Sequence, residues 1–470
     1  MEAMSRATED HDTIAAISTP QGEGGIGVVR LSGDRAEAMV TDMYRRPSGR
    51  RRDRFTPRTV TFGYIVDATG ARIDEVLVTV MKAPATYTRE DVVEISCHGG
   101  SAPTGKILEQ ALARGARLAR PGEFSKRAFL NGRIDLIQAE AIIDLIRSRS
   151  DKGWKTAFSQ LDGRLSDAVA DLERRLVASL ADIEASIDFP DEELDIVDNT
   201  RLLERLRHLE QSARSMVATY GAGKIYRDGV GVAIVGRPNV GKSSLMNRLL
   251  DADRVIVTAT PGTTRDTVEE TLHIEGIAVR IVDTAGVRET DDEAERFGVE
   301  RTLAAIDDAD IVMPLFDQSV PLTDEDRHVV ATVARRERTL IVALNKSDLP
   351  TGLTSDDVAA LEALGHATVR ISAKEGEGVD RLRSLLAETI RGKGEGLGDG
   401  PVLTRERHMR LLADVADAAG RGANAIVEGL SREFVAAELG QAKEALEELT
   451  GKVVDDQVID RIFEEFCIGK

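Results

Sequence analysis

The sequence predicts a multidomain chain: an α+β segment first, an all-α segment split into two parts, and an α/β segment inserted between those parts. Three observations predict it. The chain has 470 residues, too many for one core, which suggests roughly three domains. The hydrophobic period changes from strand-like alternation to three-and-four spacing at about Ser125, and returns to strand-like runs at DGVGVAIVG. Helical patterning then resumes at Thr404, beyond the Gly-rich stretch RGKGEGLGDGP, and neither helical part looks long enough to close its own core.

Taken in order, residues 12–31, DTIAAISTPQGEGGIGVVRL, read as strand, Gly-rich turn and strand. TVTFGYIV, EVLVTVMKA and DVVEISCHGG add strands, and TGKILEQALARG a helix. AEAIIDLI, WKTAFSQLDGRLSDAVADLERRLVASLADIEASI and TRLLERLRHLEQSARSMVATY are helical, interrupted where Pro190 and an acidic cluster break the run. The expected boundaries are 1–131, 132–223, 224–392 and 393–470, with the helices before and after the insert packed together.

Composition sets limits. Hydrophobic residues at 42%, charged residues at 30% and aromatic residues at 4% describe a globular protein with an aliphatic core. No apolar run approaches the roughly 18 residues of a membrane span, and the amino end has no signal-like core, so the expected compartment is the cytoplasm. Cys97 and Cys467 are too few for a disulfide framework or a zinc site and are expected as thiols. A net charge of -19 argues against non-specific nucleic-acid binding over the whole surface. The Arg-rich segment 45–58, RRPSGRRRDRFTPR, can meet phosphates, although a solvated loop is the simpler reading.

The chemistry concentrates in the insert. VGVAIV leads into Gly236-Arg-Pro-Asn-Val-Gly241-Lys242-Ser243 and then a helix, the context a P-loop requires. Loop amides and the helix N-terminus suit the β-phosphate, Lys242 the β- and γ-phosphates, and Ser243 a magnesium ion. Asp283-Thr-Ala-Gly286 follows the strand AVRIV, and can serve the magnesium shell and sense the γ-phosphate. Asn345-Lys346-Ser347-Asp348 follows LIVAL, with a carboxylate matched to the donor pair of guanine, which adenine lacks. Ser372-Ala373-Lys374 follows VRI and approaches the base from the other side. Four motifs at successive strand ends predict a Ras-like P-loop domain that binds GTP.

The nucleotide-binding set read this way is Asn239, Val240, Gly241, Lys242, Ser243, Ser244, Thr264, Asp283, Thr284, Ala285, Gly286, Asn345, Lys346, Asp348, Ser372, Ala373 and Lys374. Thr264, in PGTTRD, completes the magnesium site with Ser243. The residue after DxxG is Val287, which cannot orient a water as a glutamine would, and Glu295 downstream is the carboxylate available for that task. The Asn239 side-chain oxygen can coordinate a monovalent cation beside the phosphates, and potassium there would supply positive charge in the transition state.

Together with EDVVEISCHGG, ARPGEFSKRAFLNGRIDLIQAEAIIDLI and the terminal FCIGK, these motifs resemble the tRNA-modification GTPase MnmE (TrmE) family over essentially the whole chain. The resemblance implies an amino-terminal domain that dimerises and binds 5,10-methylene- or 5-formyltetrahydrofolate, and a homodimer acting with the flavoprotein MnmG (GidA), which carries FAD. Together they would add a carboxymethylaminomethyl group at C5 of the wobble uridine of tRNA. It implies folate contacts at Arg30, Glu94, Arg133 and Lys470, potassium ligation by Asn239, Thr258, Thr260 and Thr263, water positioning by Glu295, and a catalytic tail thiol at Cys467. Arg133 stands where lysine is expected in relatives, and TATPGTTRD has Thr260-Pro261 where a more apolar pair is usual.

A nucleotide-switched RNA-binding or ribosome-assembly GTPase without folate chemistry is the alternative, and a scaffold with residual hydrolysis a second one. Cys97 is expected to pack within a strand, His98 to serve a turn, and Trp154 to sit in a helix core. The tail is expected to be held by the last helix, VIDRIFEEF, docking through Val458, Ile462 and Phe466.

Overall fold

The computed structural model describes residues 12–20, 22–188, 198–251, 269–283, 303–336, 338–365, 367–394 and 400–470. The chain forms two compact units, one of residues 1–143, 161–198 and 425–470, the other of residues 144–160 and 199–424.

In the first unit, β1 (Ile14–Ile17), β2 (Ile26–Ser32), β3 (Tyr44–Arg45), β4 (Val60–Val66), β5 (Arg72–Met81), β6 (Val92–His98) and β7 (Arg117–Leu118) form one sheet in the order β3-β4-β5-β6-β2-β1-β7. All pairs are antiparallel except β1 with β7. Alternation puts Val29, Leu31, Val76, Val78, Val80, Val93, Ile95 and Cys97 on one face, buried with Met39 and Val40 of α1 (Ala36–Met43) and Ile107 and Ala111 of α2 (Ser101–Ala113). The opposite face carries Arg30 paired in register with Glu94. Short α3 (Glu123–Leu130), which precedes α4 (Leu136–Arg147), is locked to this domain by Arg127, whose guanidinium is 9% exposed and ion-paired with Asp12, Glu90 and Glu123.

The helical portion of this unit pairs segments from both sides of the insert. α6 (Arg164–Asp188) presents Leu165, Val169, Leu172, Leu176 and Ile183, and α14 (Arg432–Thr450) presents Val435, Leu439, Ala442, Leu446 and Leu449, all buried at three-and-four spacing. Burial of each leucine contributes about 1.5–3 kcal/mol. The two helices are long neighbours.

In the second unit, β8 (Val230–Val235), β9 (Glu269–Ile274), β10 (Ile277–Asp283), β11 (Ile311–Asp317), β12 (Thr339–Asn345) and β13 (Ala367–Arg370) form a sheet in the order β13-β12-β11-β8-β10-β9, parallel except for the β9–β10 hairpin. β8 and β11 are buried along their whole length, as expected of parallel strands covered on both faces. α9 (Lys242–Asp251), α10 (Asp324–Ala334), α11 (Ser355–Leu364) and α12 (Val379–Gly394) flank the sheet. Thr323 and Thr354 start α10 and α11 with reciprocal capping boxes, satisfying donors that a helix start leaves open. α7 (Asn199–Val217) meets α13 (Glu406–Val427) through Arg214 with Asp417 at 3.0 Å and Arg207 with Asn424 at 2.9 Å. α8 (Tyr220–Asp228) feeds directly into β8.

Two expectations are corrected. Trp154, on α5 (Asp151–Leu161), is 49% exposed and stacked on Phe158, because the buried face of that helix is taken by Gly153, Ala157 and Gln160. The last helix, α15 (Asp456–Glu464), docks as expected through Phe466, with Ile462 partly buried against the same cluster, but its fully buried positions on the helix are Ile459 and Phe463, and Val458 is only partly buried. The two phenylalanine rings, 5.2 Å apart, bring more apolar area to the contact than the valine–isoleucine stripe would.

Candidate nucleotide and tail sites

The P-loop joins the fully buried β8 to α9. It turns at Asn239 with φ 61° and at Gly241 with φ 102°, where a side chain would meet the Asn345 amide nitrogen at 2.3 Å, so only glycine fits. Lys242 is 8% exposed, and its ammonium donates to the Gly236 and Arg237 carbonyls at 2.7 and 3.0 Å, which holds it across the loop. Asn239, Ser243 and Ser244 are exposed at the loop mouth and the first turn of α9, while Val240 is buried.

The Asn345–Asp348 and Ser372–Lys374 loops are braced to this cradle. Asn345, 3% exposed, donates from Nδ2 to the Val240 carbonyl at 2.7 Å and accepts at Oδ1 from the Ala373 amide at 2.9 Å. One side chain thus ties the P-loop, the end of β12 and the Ser372–Lys374 loop. The Ser372 hydroxyl donates to Asp348 at 2.6 Å, and this bond holds the exposed Asp348 carboxyl below its usual range. Lys346, at φ 65°, reaches Asp317 at 2.6 Å. Burial pushes the Asp317 carboxyl up, but the Lys346 and Ser319 bonds outweigh it and the group stays low. Arg248 of α9 donates to the Ala373 carbonyl at 3.3 Å. Sequence reasoning missed Arg248 and Asp317 as braces, since neither belongs to a motif.

Asp283 ends β10, beside Ile234 of β8. Thr258, Thr260, Thr263, Thr264, Thr284, Ala285, Gly286 and Glu295 lie outside the described residues, as does the Asp283 side chain. No cluster of three or more histidine, cysteine or acidic side chains suited to a metal occurs among the described residues.

The carboxyl-terminal tail belongs to the first unit and lies on its sheet. The Gly122 amide donates to the Cys467 carbonyl at 3.4 Å, and the Gly469 carbonyl accepts from Ser18 Oγ and Arg30 Nη1, each at 3.2 Å. Arg30 also donates through Nε and Nη2 to Glu94 Oε1 at 3.0 and 2.8 Å. Lys470 sits close enough to feel both groups: burial lowers its pKa, Arg30 lowers it further, and Cys467 and Glu94 oppose that. Arg133 stacks over Tyr87 at 4.7 Å and donates to its carbonyl at 3.2 Å, and Arg30 lies 5.8 Å from the same ring and 5.6 Å from Phe124. Arg30 and Arg133 therefore share the Tyr87 ring, while Glu94 and Lys470 join the group through Arg30. Tyr87 and Phe124 were not legible as site residues, because nothing in ATYTRED or PGEF marks an aromatic floor.

Cys467 is exposed and Cys97 buried; burial and then the Asp74 charge push the Cys97 thiol up to about 11, so it is inert at neutral pH. His98 ends β6, and its Nδ1 and backbone amide both engage Asp74, at 2.7 and 2.8 Å. The Arg-rich segment is largely exposed, with Arg52 over Phe55 at 5.1 Å.

A largely parallel sheet in this order, with a P-loop after its central strand and the NKSD and SAK motifs after β12 and β13, defines a Ras-like P-loop protein of the GTPase class. The family model for the GTP-binding protein TrmE N-terminus matches residues 13–133, and that for the MnmE helical domain residues 136–467. The tRNA modification GTPase MnmE of Moorella thermoacetica is 45% identical over 464 residues, covering 98% of this chain and 99% of that protein. Those of Lactiplantibacillus plantarum and Geobacillus kaustophilus are each 43% identical and cover 98% of this chain, with 99% and 100% of their own lengths. The chain belongs to the tRNA modification GTPase MnmE family.

Proposed function

We propose that the protein hydrolyses GTP as one component of a complex that adds a carboxymethylaminomethyl group to C5 of wobble uridine in tRNA. Family membership over the full length supports the substrate. The observation that carries the GTP reading is the double bond set of Asn345, which links the phosphate loop to the guanine-reading loops. Lys242, Ser243 and the loop amides fit a nucleoside triphosphate with magnesium, and Thr264 and Asp283 would complete the magnesium shell. Potassium would be held by Asn239, Thr258, Thr260 and Thr263, and water by Glu295. Hydrolysis is expected to run faster in K⁺ than in Na⁺, read by phosphate release at equal ionic strength; equal rates would remove the potassium assignment.

The tail site suits an anionic ligand. Arg30 and a partly buried Lys470 of lowered pKa are like charges held together, a cost that a carboxylate would relieve. A tetrahydrofolate, with its glutamyl carboxylates and a pterin edge for Glu94, meets that demand, and Tyr87 offers a stacking floor. The remaining parts of the reading are a cytoplasmic homodimer, a flavoprotein partner of the MnmG type carrying FAD, and domains bounded at residues 131, 223 and 392. Val60, Phe62 and Leu77, exposed on adjacent strands β4 and β5, offer a face for a second copy. No helix among the described residues is long and apolar enough to cross a membrane.

Mass spectrometry of wobble nucleosides from cells lacking the gene is expected to show loss of the modified uridine. The wild-type gene should restore it. Cys467→Ser should not, while leaving GTP hydrolysis near wild type, because the thiol belongs to the tail site. Unmodified uridine that never accumulates would reject the function, and normal modification with Cys467→Ser would reject a chemical role for the thiol.

A further inference from the structure

Trp154 and Phe158 lie one turn apart on α5, with rings 5.5 Å apart and 17° from parallel, and they are 49% and 48% exposed. The helix cannot roll to bury them. On its other side Gly153 is packed so closely that a side chain would lie 2.6 Å from the Tyr226 carbonyl, and Gln160 donates to the Val402 carbonyl at 2.6 Å. Its start is tethered as well, by the Lys152 amide to the Gly276 carbonyl at 3.1 Å and, two residues before the helix, by His273 to the Arg149 carbonyl. The aromatic pair is therefore a fixed outward surface.

Its charge is unusual for this chain. From Ile146 to Phe158 there are four cations, Arg147, Arg149, Lys152 and Lys155, against one acid, Asp151, a net of +3 in a protein of -19. Arg147, Arg149 and Lys155 are exposed. Flat apolar rings bordered by cations complement a polyanion whose bases are open to stacking.

We propose that Trp154 and Phe158 form a stacking platform for an unpaired nucleobase of an RNA loop, with Arg149 and Lys155 meeting the flanking phosphates. The proposal rests on the reading above that the protein acts on RNA. Double-stranded RNA hides its base faces, so the platform selects looped over paired RNA.

Trp154 is the only tryptophan, so its fluorescence reports the contact directly. Titrating the full chain with an RNA hairpin bearing an unpaired loop is expected to quench that fluorescence saturably, whereas a fully paired duplex of equal length is not. By anisotropy of the labelled hairpin, Trp154→Ala and Phe158→Ala should each weaken binding about 10- to 100-fold, the scale of one lost base stack. Lys155→Ala should reduce the salt slope by about one. GTP hydrolysis and thermal melting should be unchanged in all three. Wild-type hairpin affinity in Trp154→Ala, or equal affinity for the duplex, overturns the platform and leaves the RNA reading standing. Absence of any RNA binding overturns both, and capture of an acidic protein on this face without RNA binding replaces the RNA with a protein partner.

Discussion

Replacing Gly469 with alanine is expected to unseat the carboxyl-terminal tail and abolish tRNA modification while GTP hydrolysis continues. Gly469 has φ 93°, a conformation that costs an L-residue about 1–2 kcal/mol. A side chain there would also stand 2.5 Å from the Ile17 carbonyl oxygen and 2.8 Å from the Ser18 Cα. Both are main-chain atoms, and Ile17 ends a strand held between β2 and β7, so the neighbour cannot yield. The tail must yield instead, and with it go the bonds from Ser18 and Arg30 to the Gly469 carbonyl. A net loss of about 2 kcal/mol would lower the docking equilibrium constant of the tail roughly 30-fold. Calorimetric titration with 5-formyltetrahydrofolate should show weaker binding by a comparable factor, since Lys470 leaves with the tail. Ile468→Ala is the control: its side chain is 52% exposed and should be replaceable without effect. Folate affinity and modification unchanged in Gly469→Ala would mean that the docked tail is not part of the site.

What the sequence made legible, and what it did not, follows from how each feature is encoded. The P-loop and the motifs after β10, β12 and β13 were readable because phosphate, metal and guanine each demand particular residue types at fixed places near strand ends. Strand period and the resumption of helices after the Gly-rich linker were enough to indicate the interleaved architecture. Arg30, Glu94, Arg133 and Lys470 were another matter: they lie on separate elements, Lys470 more than 300 residues beyond the other three, and composition and spacing do not show that they meet; family resemblance and then the fold do. Tyr87 and Phe124 escaped even that. The helix α15 and its anchor Phe466 were found, but Ile459 and Phe463 were not singled out, because Val458–Ile462 and Ile459–Phe463 have the same spacing and only tertiary packing decides which pair is buried more deeply. Trp154 was misread for a related reason. Large aromatic residues are buried more often than not, but Gly153 lets a neighbouring backbone approach α5 so closely that the small-residue face turns inward and the aromatic face turns out.

Replacing Asp348 with asparagine is expected to reverse base preference from GTP to XTP without changing fold stability. The carboxylate has two acceptor oxygens facing loop and solvent, and guanine offers two donors, N1–H and the exocyclic amine. Asp348 Oδ1 already accepts from Ser372 at 2.6 Å, and that hydroxyl keeps the carboxyl ionised below its ordinary range, so the acceptor is present throughout the neutral region. In Asp348→Asn the amide oxygen can keep the Ser372 bond, so the loop geometry set by Asn345 and Ser372 need not change. The amide nitrogen then faces the base as a donor, opposed to the guanine amine but matched to the C2 carbonyl of xanthine. A site built around hydrogen bonds rejects a mismatched partner strongly, so GTP affinity should fall about 100- to 1,000-fold while XTP gains over the wild type. Calorimetric titration of both nucleotides into the wild type and the variant measures this directly. A preference for GTP that survives the substitution would move base reading away from Asp348, and the bracing role of Asn345 would then have to be sought in phosphate binding alone.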